Sequence, residues 1–354
     1  MVTIGVDAHK AVHHALALDD AGTVLGQWRG ANTAHSWQRL LSWAQGFPGS
    51  RHWGIEGAWN YGRGLAQVLV TSGEVVCEVN PRWTAERRRR SRKSDKNDRL
   101  DAHAVAKLVR DEETPLPQVT AEDASSVLDL LVTEREAMLT EAPRLRNQLH
   151  QLLLQLSPEC AAQMPSLTSE AGLLAVESST LPQASSLQQH RLAASHRLVQ
   201  RLRLAMEQAA MLEREICSRA KARYLPLTEL KGVQLLTAGA LAGILGPGQR
   251  FRSEAELAAS AGVAPLETSS AGVVRHRLNR GGNRRLNAIL YRIALTQARS
   301  WPPAQAYLAK RKAEGKSWRE ALRALKRYLV RALWRLWQRC LKQEAERSVM
   351  QAAA

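Results

Sequence analysis

Val2-Thr3-Ile4-Gly5-Val6-Asp7 reads as a strand that ends on a carboxylate, and the fold class follows from what surrounds it. Residues 12–18 and 24–28 read as two more strands, with the turn signal Asp19-Asp20-Ala21-Gly22 between them, so they form a hairpin. Thr33 can cap a helix running through Ala44. Residues 53–57 read as a short strand, 61–72 as a helix ended by Gly73, and 75–79 as a strand stopped by Asn80-Pro81. Three antiparallel strands followed by alternating helices and strands is the element order of a ribonuclease-H-like α/β fold. The order of strands within the sheet is not written in the sequence.

Composition narrows the function. The chain has 354 residues, with 50 Lys and Arg against 33 Asp and Glu, a net charge of +17. Such an excess points to a polyanion. An anionic membrane is a poor partner, because no apolar stretch reaches the roughly 18 residues of a spanning helix and the N-terminus does not read as a signal segment. Cys77, Cys160, Cys217 and Cys340 are scattered, without a CxxC or a neighbouring His pair. They read as thiols in a reducing cytoplasm, not as zinc ligands or a disulfide framework. Trp is plentiful (10) while Phe (2) and Tyr (5) are scarce, which suits helices with anchoring indoles better than a base-stacking sheet.

Against that basic background, Asp7, Glu56, Asp98 and Asp101 are the candidate chemistry. Asp98 and Asp101 stand three apart at the start of a helical run, so both project from one face. Like charges so close repel unless a cation lies between them. Asp7 and Glu56 each sit in a strand-like run. Four carboxylates of this kind could hold one or two Mg²⁺ (or Mn²⁺) ions against a scissile phosphate. Taken singly, each has a plainer reading as a helix cap or a surface ion pair.

The basic run Arg87-Arg88-Arg89-Arg90-Ser91-Arg92-Lys93 directly precedes Asp98, and phosphate could order it. Glu113-Thr114-Pro115-Leu116-Pro117 marks a domain boundary. Residues 121–157 carry a heptad seam through Leu128, Leu131, Met138, Ala142, Leu145, Leu149, Leu152 and Leu156, and a second seam runs Leu198, Leu202, Ala205, Ala209, Leu212, Ile216. The two seams make an antiparallel hairpin or a dimer stalk.

From residue 225 the character changes. Leu230-Lys231-Gly232-Val233 looks like half of a helix-hairpin-helix, with Gln234 where a second glycine is wanted. Ser269 and Ser270 precede a stretch rich in arginine: Arg275, Arg277, Arg280, Arg284 and Arg285. A hydroxyl there could attack a phosphodiester with arginines stabilising the transition state, though Ser-Ser-Ala-Gly also reads simply as a loop. A last helix, 317–343, repeats Arg319, Arg323, Lys326, Arg327, Arg331, Arg335 and Arg339 on a broad face. Trp318, Trp334 and Trp337 join leucines on the buried one.

Several motifs carry a family resemblance. Gly5-Val6-Asp7-Ala8-His9-Lys10, Gly54-Ile55-Glu56-Gly57, Asp98-Arg99-Leu100-Asp101-Ala102 and the block from Gly232 to Arg285 resemble the DEDD-type insertion-sequence transposases, the bridge-RNA-guided recombinases. The resemblance implies a RuvC-like catalytic domain over 1–115, a coiled-coil stalk over 116–224 and a mainly helical C-terminal transposase domain over 225–354. It implies that Asp7, Glu56, Asp98 and Asp101 bind metal. It also implies a serine nucleophile that usually sits in a Ser-Gly step. Here Ala271 follows Ser270 and Gly272 comes one later, so Ser270 is favoured, with Ser269 as the fallback. Family likeness further implies a noncoding guide RNA pairing with donor and target DNA, a bacterial cytoplasmic setting, and assembly to dimers or tetramers. The guanidinium and ammonium groups of 87–93, 275–285, Arg323, Arg327 and Arg331 would then contact nucleic acid. Two rivals remain open on sequence: a structure-selective nuclease in which water attacks, and a nonenzymatic nucleic-acid scaffold.

Overall fold

The computed structural model describes residues 1–81, 98–111, 116–181, 185–248, 250–267, 276–277, 279 and 281–352. The chain divides into two compact units, residues 1–124 with 245–256, and residues 125–244 with 257–354.

The first unit is built on strands β1 (Val2–Ala8), β2 (Val12–Leu18), β3 (Val24–Ala31), β4 (Arg51–Glu56) and β5 (Val75–Val79), with helices α1 (Ala34–Gln45), α2 (Arg63–Thr71) and α3 (Asp98–Asp111). The strands form one sheet in the order β3-β2-β1-β4-β5. β2 is antiparallel to β1 and to β3, while β4 and β5 run parallel to β1 and to each other. A mixed sheet with flanking helices agrees with the ribonuclease-H-like class expected from element order, and the strand order, which the sequence does not carry, puts β1 at the centre. Local chemistry explains its edges. The β2–β3 turn closes with Gly22 N–H donating to the Asp19 carbonyl (3.0 Å) and Thr23 N–H to the Asp19 side chain (2.7 Å), and Gly22 takes a φ of +88° that favours glycine. The Thr33 hydroxyl accepts from Ser36 N–H to cap α1.

Period-two alternation sorts β1 into two faces. Ile4 and Val6 join Ala15, Ala17, Trp53 and Ile55 in a core closed by Leu40 of α1 and by Leu65 and Leu69 of α2. Each such leucine or isoleucine, fully removed from water, contributes about 1.5–3 kcal/mol. The opposite face belongs to α3. There Leu16 and Leu18 meet Ala102 and Ala106, and Val79 meets Val105 and Leu108. Gly5 and Gly54 are register partners in the middle of this face. A Cβ on Gly5 would land on the Ala106 amide nitrogen and the Ala102 carbonyl oxygen, and one on Gly54 would land on a Val109 methyl. The backbone of α3 therefore rests directly on the backbone of β1.

The second unit is mainly helical. It contains α4 (Ala124–Leu156), α5 (Pro158–Gln163), α6 (Glu170–Glu177), α7 (Ser186–Arg223), a 3-10 turn (Leu225–Glu229), α8 (Leu235–Leu245), α9 (Glu254–Ser260), a two-stranded ribbon of β6 (Leu266–Glu267) and β7 (His276–Arg277), α10 (Arg284–Ser300), α11 (Pro302–Ala313) and α12 (Trp318–Ala352). The first residue of α4, the last of α8 and the opening of α9 are counted in the first unit. The seams are met in part: Ala142, Leu145 and Leu149 of α4 pack with Leu202 of α7 and with Leu173 and Val176 of α6, while Leu153 and Val199, each one residue beyond the seam positions Leu152 and Leu198, complete the cluster. Arg135 pairs with Glu213 and Arg201 with Glu141, a pairing that runs in opposite directions along the two helices. Helices α4 and α7 thus pair antiparallel within one chain. Cys77, Cys217 and Cys340 are free thiols, and burial pushes the Cys340 thiol up to about 11.

Candidate active site

Register collects the polar groups at the carboxyl ends of β1 and β4. Asp7 lies opposite Glu56 on one side and opposite His14 on the other. His14 in turn faces Arg29 on β3, and Glu56 faces Val79 on β5. The rung Arg29–His14–Asp7–Glu56–Val79 therefore crosses the whole sheet. Residues paired in this way point to one face, with neighbouring strands about 4.8 Å apart. It is the face that α3 covers.

Asp7 is 5% exposed and Asp101 on α3 is 6% exposed, both unusually buried for a carboxylate. Glu56 is half-buried. Asp98 begins α3, one turn before Asp101; its side chain lies outside the described residues. The His9 ring Nε2 stands 3.0 Å from Asp7 Oδ2, on the turn between β1 and β2. Among the described residues, no three His, Cys, Asp or Glu side chains form a group able to hold a metal ion. The donor set itself is all hard oxygen, which is what Mg²⁺ or Mn²⁺ takes. Three of the four sequence-selected acids are thus placed on or beside one sheet face. His9 and His14 were not singled out from sequence. Strand register, which aligns His14 with Asp7, gives His14 its place in the site, and the contact with Asp7 Oδ2 gives His9 its own.

The remaining candidates divide. Ser269, Ser270, Arg87, Arg88, Arg89, Arg90, Arg92, Lys93, Arg275 and Arg280 lie outside the described residues. Arg277 on β7 and Arg284 at the start of α10 are exposed. Arg285 is engaged within the second unit, with Nη1 2.8 Å from Asp129 and Nε 3.2 Å from Glu136 on α4. On α12, Arg323 and Arg327 are half-buried and Arg331 is exposed.

Two expectations for α12 are corrected. Lys326 is not on the solvated face; it is 8% exposed and its Nζ donates to Asn287 Oδ1 at 2.9 Å. Trp318 is not buried; it is 53% exposed, because it opens the helix before the packed turns begin. Trp337 is buried as expected and stacks on Tyr224 at 5.8 Å. The Leu230–Val233 segment is a turn closed by Val233 N–H to the Leu230 carbonyl (2.9 Å), with Gly232 at φ +91°. Gln297 of α10 donates to its Lys231 carbonyl at 2.7 Å.

Comparison with known proteins places the chain in a family. A DEDD-type model described as "Transposase", built on the IS110 element, matches residues 4–158, and a model described as "Transposase IS116/IS110/IS902 family" matches residues 224–309. The chain is 34% identical over 132 residues to an uncharacterized 43.6 kDa protein of insertion element IS110 from Streptomyces coelicolor, covering 36% of this chain and 32% of that protein. It is 27% identical over 211 residues to the transposase of insertion sequence element IS1328 from Yersinia enterocolitica, covering 59% of each. The chain thus spans about a third and about three fifths of these curated relatives. A solved structure of T. thermophilus RuvC in complex with a Holliday junction substrate aligns at 14% identity and a TM-score of 0.24, over 30% of this chain and 90% of that one. Two models of the same family, matched in order along the chain, identify it: the protein belongs to the IS116/IS110/IS902 family of transposases.

Proposed function

We propose that this protein is a DNA recombinase of an insertion sequence, cutting and rejoining DNA strands with the help of a divalent ion. The observation that carries the reading is the alignment of Asp7 and Glu56 on adjacent parallel strands beneath α3. In this reading residues 1–115 act as a RuvC-like catalytic domain, 116–224 as a stalk, and 225–354 as the domain that brings the nucleophile.

Asp7, Glu56, Asp101 and Asp98 would hold the ion, Mg²⁺ or Mn²⁺. When bound it supplies positive charge that offsets the charge developing on a scissile phosphate. The chain's own contributions are positional. β1 and β4 fix two carboxylates by register, α3 would bring Asp101, and Asp98 one turn before it, to the same face, and His9 holds the Asp7 carboxylate in one orientation. Ser270, or Ser269 in its place, would attack phosphorus through Oγ. One Oγ–P ester forms as one P–O ester of the DNA breaks, and the departing DNA hydroxyl takes up the serine proton. Attack by the hydroxyl of a second strand reverses the step and frees the serine. Bond energy is conserved, so rejoining needs no nucleotide cofactor. A structured noncoding RNA that pairs with donor and target DNA would choose the sites. The protein would then read backbone and shape, which suits a chain with +17 net charge and few aromatics. Assembly to a dimer or tetramer would let the acids of one copy serve the serine of another.

Covalent trapping tests this. Purified protein is incubated with Mg²⁺, donor and target DNA, and RNA transcribed from the element's flanks, then resolved on a denaturing gel. A protein–DNA adduct that disappears in Ser270→Ala, or in Ser269→Ala, is the expected result. Cleavage without an adduct would replace the serine with water and make the protein a structure-selective nuclease. Binding without cleavage in every condition would leave a nonenzymatic scaffold.

A further inference from the structure

A cavity of about 690 Å³ opens in the second unit, walled by α11, α12 and the segment before β6. That volume is in the range of small-ligand sites. Its wall is cationic, with Arg277, Lys316, Arg323 and Lys326 among its residues. Glu320, the one acid among its described lining residues, is already committed to the amide (2.9 Å) and hydroxyl (2.7 Å) of Ser317.

Lys326 is the unusual member. Its ammonium is buried and, among the described residues, gives one hydrogen bond, to Asn287 Oδ1. The orientation of that amide is fixed, because Asn287 Nδ2 donates to the Ala261 carbonyl at 2.7 Å. Among the described residues no carboxylate pairs with Lys326. Burial lowers its pKa and the charge of Arg323 lowers it further. A buried cation with one neutral partner is costly, and a second cation beside it raises the cost. An anion between them relieves both.

The same cavity offers aromatic faces. Tyr307 and Tyr328 meet edge to face at 5.0 Å, Arg311 lies over the Tyr307 ring at 5.2 Å, and Arg331 lies over the Tyr328 ring at 5.4 Å. Arg311 is further tied to the Tyr307 hydroxyl (2.9 Å) and to Glu314 (2.7 Å). The rings are thus braced, yet Tyr328 remains 48% exposed. Paired cations next to a braced, accessible ring match a phosphate joined to a base.

We propose that this cavity takes one unpaired nucleotide of a nucleic-acid strand, with its phosphate against Lys326 and Arg323 and its base against Tyr328. A base stacked within a duplex cannot present its face to the ring, so the site selects single-stranded or extruded nucleotides. The assignment rests on the nucleic-acid reading above but concerns a different step, the capture of an unpaired position in DNA or RNA.

Calorimetric titration of the full chain with inorganic phosphate, dAMP and AMP tests it, alongside five-nucleotide single strands of DNA and RNA and a matched DNA duplex. Both mononucleotides, or one of them, should bind about tenfold more tightly than phosphate. Tyr328→Ala should abolish that advantage and leave phosphate binding intact. Lys326→Met should weaken phosphate and nucleotide alike while the melting temperature holds or rises. A preference for AMP and the RNA strand would name RNA as the source, and the reverse would name DNA. Equal affinity for phosphate and nucleotides, or nucleotide binding indifferent to Tyr328→Ala, overturns the proposal. Duplex binding that persists without nucleotide binding would sink the pocket and spare the recombinase. Nucleotide binding in a chain that neither binds nor cuts duplex DNA would do the opposite.

Discussion

The acidic rung of the first unit and the cationic cavity of the second gather charge of opposite sign by different geometry. Asp7 and Glu56 come together because two parallel strands are in register, and one residue of slip would turn both away. Arg323 and Lys326 come together because a helix repeats every three to four residues. A site built by register is set by backbone and has little freedom. A site built by helical repetition is set by side chains, and its members can be exchanged for one another. The first should therefore be brittle to small changes and the second graded.

The sharpest test of that contrast is Asp7→Asn. It should reduce DNA cleavage by about 10³-fold, the scale seen when one group that stabilises transition-state charge is lost, with an unchanged far-ultraviolet spectrum. Cleavage within a factor of a few of wild type would remove the rung from the chemistry. Next is Gly5→Ala, which forces a methyl onto the α3 backbone. We expect a loss of about 3 kcal/mol in chemical denaturation. Gly54→Ala meets the end of a valine side chain that can turn away, so it should cost about 1 kcal/mol. Equal costs would show that the backbone seat is nothing special.

Two smaller predictions probe the basic side. Arg285→Ala should lose about 1 kcal/mol or less, since its partners Asp129 and Glu136 are well exposed. It should leave the salt dependence of DNA binding as it was. Arg323→Ala should hold or slightly raise stability, since it removes a cation beside buried Lys326, and make the slope of log affinity against log salt shallower by about 1. If the two exchange behaviour, Arg285 is the phosphate ligand and the cavity is not.

The smallest effect is a pH dependence in the first unit. His13 is fully buried on β2, and among the described residues only Val12 and Asn32 come near its ring nitrogens, short of full hydrogen-bonding geometry. Burial lowers its pKa below the ordinary 6.5, with Val12 and Asn32 opposing and His9 and His14 adding to the shift. The unfolded chain then binds the proton more readily than the folded one. The stability from a neutral His13 is full above about pH 6.5 and declines as pH falls through the folded value. Thermal melts of wild type and His13→Leu should diverge from neutral pH toward pH 5, with the variant falling less.

Much of this was legible in sequence. β1, the β2–β3 hairpin, the Thr33 cap and α3 all announce themselves through local chemistry; the heptad seams marked two long helices but left a hairpin and a dimer stalk equally open. What sequence withheld depends on partners distant in the chain. His14 aligns with Asp7 only after two strands pair. Lys326 reads as part of a solvated stripe, yet α10 supplies Asn287 to receive its ammonium. Trp318 reads as core by periodicity, yet it stands ahead of the first packed turn of α12 and remains in water. The helical run read over 121–157 is continuous as α4, Pro143 included; burial of Ala142, Leu145 and Leu149 on either side outweighs one missing amide donor.

The contact of α3 with Gly5 has a consequence for how this family member can change. Side chains elsewhere on that face, such as Leu16, Leu18 and Val79, can be traded for others of similar volume at a cost below about 1.5 kcal/mol. None of those trades alters the height of α3 above β1, because that height is fixed where backbone meets backbone. In the function proposed above, robustness and reactivity are thereby uncoupled: drift or engineering can tune how firmly the sheet holds together while the height of Asp101 above Asp7 and Glu56 stays constant.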